Sequence, residues 1–162
     1  MNTDITHETE ISAPADLPTI TIVREFDAAP EKVFRAWTEP ELFVRWNGPR
    51  SIDNRIEHWD ARTGGSWRYV ALRDGEQIAG FYGSFHELRP AERLVQTFTF
   101  DGAPDGVSLD TTTFEALADG RTRVTVVSVV ESMETRDAIL SSGMDVGVRE
   151  GYEKLDELLD TL

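Results

Sequence analysis

The chain predicts an α+β fold: a curved antiparallel sheet of about seven strands wrapped on one long C-terminal helix, with two short helices after the first strand. Three observations predict it. Met144, Val148, Tyr152, Leu155, Leu159 and Leu162 step by three or four residues, the spacing of one helical face. Residues 52–131 instead alternate apolar with polar side chains between short Gly- and Asp-containing turns, which implies antiparallel neighbours. A twisted sheet of that size cannot bury its concave face alone, and the last helix is the element long enough to cover it.

The elements follow in order. Residues 1–16 are polar and acidic and contain Pro14, so they read as a flexible tail, with a single domain over 17–162. Ile20, Ile22 and Phe26 alternate with Thr21 and Glu25 in a first strand over 19–26. Pro30 suits the first turn of a helix bearing Val33, Phe34 and Trp37, and Pro40 opens a second with Leu42, Phe43 and Trp46. Strands then span 52–60, 67–73, 77–88, 94–100, 107–117 and 122–131, separated by turns such as Gly64-Gly65, Asp74-Gly75 and Asp119-Gly120. Gly80 and Gly83 are expected to mark a bulge or bend in the long third of these. Residues 132–142 are irregular or a short helix. In the final helix, Gly147 and Gly151 fall beside or within the apolar face. They leave either room for a ligand or a close backbone approach.

Composition removes several function classes. Of 162 residues, 40% are hydrophobic and 9% aromatic, enough for one real core. The formal net charge of −14 repels phosphate backbones and anionic lipid heads, so neither nucleic acid nor a membrane surface is expected as a partner. The absence of cysteine excludes disulfides and thiolate chemistry. No signal-peptide pattern and no run of about 20 apolar residues occurs, and a cytoplasmic protein is expected.

Four strings carry a resemblance. They run from Asp27-Ala28-Ala29-Pro30 to Pro40, from Trp59-Asp60-Ala61-Arg62-Thr63-Gly64-Gly65 to Trp67, from Gly83-Ser84-Phe85-His86-Glu87 to Leu94, and from Ser142-Gly143-Met144 onward. In that order and spacing the chain resembles the START-like superfamily with the helix-grip fold. More narrowly, it is similar to the family named for the heat-shock-protein-90 ATPase activator. The resemblance covers residues 19–162 and implies a cavity between sheet and helix. Many such relatives carry tryptophan where this chain has Asn47 and Tyr152, two positions that the resemblance puts at the cavity mouth. The N-terminal domain through which the eukaryotic co-chaperone stimulates its chaperone has no counterpart before Thr19.

Catalytic motifs are missing. His7, His58 and His86 lack metal-ligand spacing, so no metal and no cofactor is expected. Tyr82-Gly83-Ser84-Phe85 lacks the second glycine of a nucleophile elbow, and no residue is assigned a catalytic role. Glu87 is expected to pair with Arg93 across the Pro90 turn. The aromatic residues form the strongest set. Ligand pockets are mostly apolar with few polar groups, so the ligand-binding candidates are Trp46, Trp67, Tyr69, Phe81, Phe85, Phe98 and Phe114, with Met144, Val148 and Tyr152 from the helix. The expected function is binding of a small apolar or aromatic molecule. Two alternatives stay open. One is an enzyme of cyclase, aromatase or hydrolase type, with Glu87, His86 or His58 as acid or base. The other is a chaperone-associated interaction module, whose apolar segment 124–130 could also pair two copies in a homodimer.

Overall fold

The computed structural model describes residues 7–162. Strand β1 (Glu10–Ser12) leads to β2 (Thr19–Phe26), α1 (Pro30–Thr38) and α2 (Pro40–Trp46). Strands β3 (Asp53–Trp59), β4 (Ser66–Arg73), β5 (Glu76–Arg89), β6 (Arg93–Phe100), β7 (Ser108–Ala116) and β8 (Thr122–Val129) follow. Helices α3 (Met133–Ser141) and α4 (Met144–Leu159) close the chain. All strands join one antiparallel sheet in the order β1-β2-β8-β7-β6-β5-β4-β3. This is the helix-grip arrangement, with eight strands rather than about seven.

The extra strand comes from the segment read as tail, of which residues 1–6 lie outside the described residues. Glu10, Ile11 and Ser12 pair with Val23, Ile22 and Thr21. Three residues are too few to show alternation, and the cause is tertiary. Arg149 of α4 donates to the Thr9 carbonyl at 2.6 Å. Arg136 of α3, only 7% exposed, donates to the Leu17 carbonyl at 2.7 Å and to the Pro14 carbonyl. Residues 133–141, which the sequence leaves undecided, are helical, and Ser132 caps them by accepting from the Thr135 amide.

Curvature enters through register shifts at Ile56/His58, Ala71/Leu72 and Phe85/Glu87, each of which increases local twist. Gly80 and Gly83 are not among them, which corrects the expected bulge. Gly83 serves close approach instead: a Cβ there would lie 2.0 Å from the Thr97 carbonyl oxygen and 2.7 Å from the Trp67 ring.

Helix α4 lies across the inner face as the apolar spacing predicts. Tyr152, Leu155 and Leu159 are buried, and Met144, Val148 and Leu162 pack partly buried against the same core. Its docking has two fixed points. Arg24, on the inner face of β2 and 4% exposed, donates through both terminal nitrogens to Asp156, at 2.9 and 2.6 Å. One turn earlier, a Cβ on Gly151 would lie 3.0 Å from the Trp46 carbonyl and 3.3 Å from the Gly48 amide nitrogen. Gly151 therefore seats α4 on the end of α2, and of the two purposes open to it, close approach holds. Gly147 faces Pro49, whose Cδ would be 3.5 Å from an added Cβ.

Two outcomes follow for stability. Asp156→Ala strands a buried guanidinium and should cost about 3 kcal/mol in urea unfolding. Arg24→Met, which removes the charge itself, should cost clearly less. Gly151→Ala forces α4 away from α2 and should cost about 1–3 kcal/mol.

Candidate functional site

The ten residues singled out from sequence gather between α2, α4 and the concave face. Trp46, Trp67, Tyr69, Phe85, Phe114 and Tyr152 are buried, and Phe81, Phe98, Met144 and Val148 pack against them with partial exposure. Ring contacts organise the set. Near α1 and the middle of α4, Trp46 meets Trp37 at 4.6 Å and Tyr152 at 6.1 Å, while Tyr152 meets Phe26 edge-on at 5.3 Å. Phe114 joins through Trp37 at 5.6 Å. The Trp46 indole nitrogen donates to the Ala36 carbonyl at 2.8 Å, which fixes this closed end.

From there Phe43 bridges to Trp59 at 5.0 Å and to Tyr69 at 5.3 Å. Tyr69 stacks on Trp67 at 5.5 Å and meets Phe81 at 5.2 Å. Phe98 then touches Trp67 at 5.7 Å and Phe81 at 5.3 Å. Phe100, 43% exposed, ends the run at 5.6 Å from Phe81. The rings thus form one path from a sealed end to an open one. Phe43, Trp37 and Trp59 belong to this path and were not named as ligand residues. Phe43 and Trp37 lie on the inner sides of short helices, where periodicity already marked them as core.

Polar groups on the path are few. Burial pushes the Tyr69 phenol well above its ordinary value, against a side-chain hydrogen bond with Asn47 that draws it down. Asn47 therefore sits beside the aromatic path. Tyr152 does not lie at a mouth: it is 4% exposed and sealed among Phe26, Trp37 and Trp46. The Trp67 indole nitrogen is buried without a hydrogen-bond partner.

Asp110 is the group that sequence inspection overlooked. Alternation from inward-facing Phe114 and Thr112 puts Asp110 in phase with them. The strand register gives one inner row across the sheet: Ile20, Ser128, Asp110, Gln96 and Phe85. The row's outer members, Ile20 and Phe85, are 2% and 1% exposed. Phe98, two residues beyond Gln96, shares that face. Ser108 donates to Asp110 at 3.0 Å, and Ser128 also hydrogen-bonds it. Burial nonetheless outweighs both serines and raises the carboxyl above its ordinary value. Among the described residues no Lys, Arg or His pairs with it.

The acid and base candidates do not converge here. Glu87 pairs with Arg93 at 3.3 Å, as expected, and with Arg89 at 2.9 Å. His58 bonds Ser66 at 2.9 Å, and His86 is exposed. Two depressions open beside α4. One, of about 450 Å³, is lined by His7, Glu8, Thr9, Arg24, Arg149 and Glu153. The other, of about 250 Å³, is lined by His7, Asp27, Asp156, Leu159 and Asp160. Neither is lined by any of the ten ligand candidates. Among the described residues, no cluster of three potential metal ligands forms, and no helix is long and apolar enough to cross a membrane.

Asp110 has a measurable consequence. Its folded-state pKa is raised above the unfolded value of about 3.8, so the folded chain holds the proton longer and stability falls as pH climbs through that window. Asp110→Asn should therefore be more stable than the parent at pH 7, and the difference should vanish near pH 3, in urea titrations at the two pH values.

Known proteins place the chain. Residues 27–160 match the model of the family described as Activator of Hsp90 ATPase homolog 1-like protein. A Rhodobacter sphaeroides protein of known crystal structure is 27% identical with a TM-score of 0.86, covering 96% of this chain and 100% of that one. An Arthrobacter aurescens protein solved by NMR is 29% identical with a TM-score of 0.84, covering 94% and 92%. A Mycobacterium smegmatis protein is 26% identical with a TM-score of 0.83, covering 94% and 97%. Comparison with curated proteins gives no match. With its sheet gripping a C-terminal helix and this match over most of its length, the chain belongs to the Activator of Hsp90 ATPase homolog 1-like family.

Proposed function

We propose that this protein binds a small apolar or aromatic molecule between the concave face of the sheet and α4. The observation that carries the reading is the continuous ring path ending in half-exposed Phe81 and Phe98. A core built only for stability gains from burying such rings completely. Here the inner face stays partly accessible at Phe81, Gln96, Phe98, Asp110, Val126 and Ser128. Aromatic walls with a few polar groups are the usual make-up of ligand sites. The ligand enters at the Phe81–Phe98 end and lies along the rings toward Tyr69. The sealed end around Trp46, Phe114 and Tyr152 supplies the rigid floor that holds those walls.

Native mass spectrometry of freshly purified protein should reveal a co-purified organic compound. A naphthalene-type dye at 100 times its Kd should add about 2.7 kcal/mol to the folded state and raise Tm by several degrees. Phe98→Ala should weaken dye binding about tenfold. A broad set of apolar and aromatic compounds that leaves Tm unmoved would sink the reading.

A further inference from the structure

Among the described residues, Asp110 is a carboxylate on the inner face of the sheet, near its middle strands, and this deepens the reading above, on which it rests. Asp110 is on β7, with β8 and β6 on either side. Its direct neighbours, Ser128 and Gln96, are neutral, and beyond them stand Ile20 and Phe85. Diagonal to it is Phe98, roughly 7–8 Å away across paired strands. Most carboxylates of this acidic chain are on the surface, and many have an arginine: Glu25 holds Arg121 and Arg123, Glu57 and Asp101 hold Arg68, and Asp156 holds Arg24. Among the described residues, Asp110 has two hydroxyls and no cation. It also keeps some accessible surface while facing the inside of the sheet.

A fold that wanted only a polar filler at this position would use a neutral residue, as it does next door at Ser128, Thr112 and Gln96. A carboxylate there is costly, since its charge is desolvated without a counter-charge. Positions that break the rule of paired buried charge tend to be functional. The missing partner is a cation or strong hydrogen-bond donor, and Phe98 lies diagonal to the carboxylate, where an aromatic ring attracts cations through its quadrupole.

We propose that Asp110, oriented by Ser108 and Ser128, is the polar anchor of the site, and that the ligand is an arylalkyl amine, whose ammonium on a short alkyl link meets Asp110 while its ring lies against Phe98 and Phe81. Ser108 donates to Oδ1, and a carboxylate with two hydroxyl donors keeps acceptor capacity for a ligand. Gln96 offers an amide oxygen to a second N–H of the same ammonium. An acidic surface of net charge −14 adds a long-range attraction for such cations.

The test uses three naphthalene compounds of matched ring: 1-naphthylmethylamine, 1-methylnaphthalene and 1-naphthoate, each titrated calorimetrically into the full chain at pH 7 and moderate salt. The amine should bind at least tenfold more tightly than the neutral compound, and the carboxylate should bind least. Asp110→Asn should erase the preference for the amine and leave 1-methylnaphthalene binding within twofold. Equal binding of amine and neutral compound by the parent protein, or an amine preference that survives Asp110→Asn, overturns the anchor and leaves the apolar site standing. Failure of all three to bind the parent protein overturns both. The comparison within the parent protein needs no variant, so it decides the matter even if Asp110→Asn folds poorly.

Discussion

Arg24 stands with a buried guanidinium on the inner face of β2, over the Phe26 ring at 4.8 Å; it donates to the Glu25 carbonyl at 2.8 Å, and Asp156 supplies the counter-charge. A charge at 4% exposure cannot be left alone, so wherever α4 lies, Asp156 must arrive at that point. The pair thereby fixes the rotation and height of α4 over the sheet. Gly151 fixes the distance to α2. With both satisfied, Tyr152 is delivered to Phe26, Trp37 and Trp46, and the end of the fold nearest α1 is sealed. Much of the rest of the molecule follows from this docking, including the strap of residues 9–17 held by Arg149 and Arg136.

The same docking explains why the two halves of α4 differ. Its second half carries Leu155, Leu158 and Leu159 into the core near β2 and α1. Its first half carries Met144 and Val148, which touch the core without being sealed, and α3 adds half-buried Ile139 and Leu140. Tight contact is concentrated where Arg24 and Gly151 hold the helix, and the residues of the first half of α4 are less completely buried.

Asp110 shows the tension between stability and use within this arrangement. Thr112 and Phe114 on the same face of β7 are buried and contribute to the core, and Asp110 works against it. The two serines reduce the penalty without removing it.

Much of the fold was legible in the sequence, because it rests on local rules. The helical spacing from Met144 to Leu162, the alternation in Phe26 and its neighbours, and the prolines at 30 and 40 each act within a few residues. The aromatic set was legible as a set, since large apolar side chains in phase on successive strands must share a face. What the sequence could not decide depends on groups distant along the chain. Ile11 becomes a strand residue only because β2 presents a free edge and α4 supplies Arg149. Gly151 is a contact, not a gap, because Trp46 happens to lie under it. Asp110, one of thirty acidic residues, stands out only once Ser128 and Gln96 flank it and no cation does. Periodicity along the chain determined which side chains face inward; only the pairing of strands and the seat of α4 decided which of them would be left without a partner.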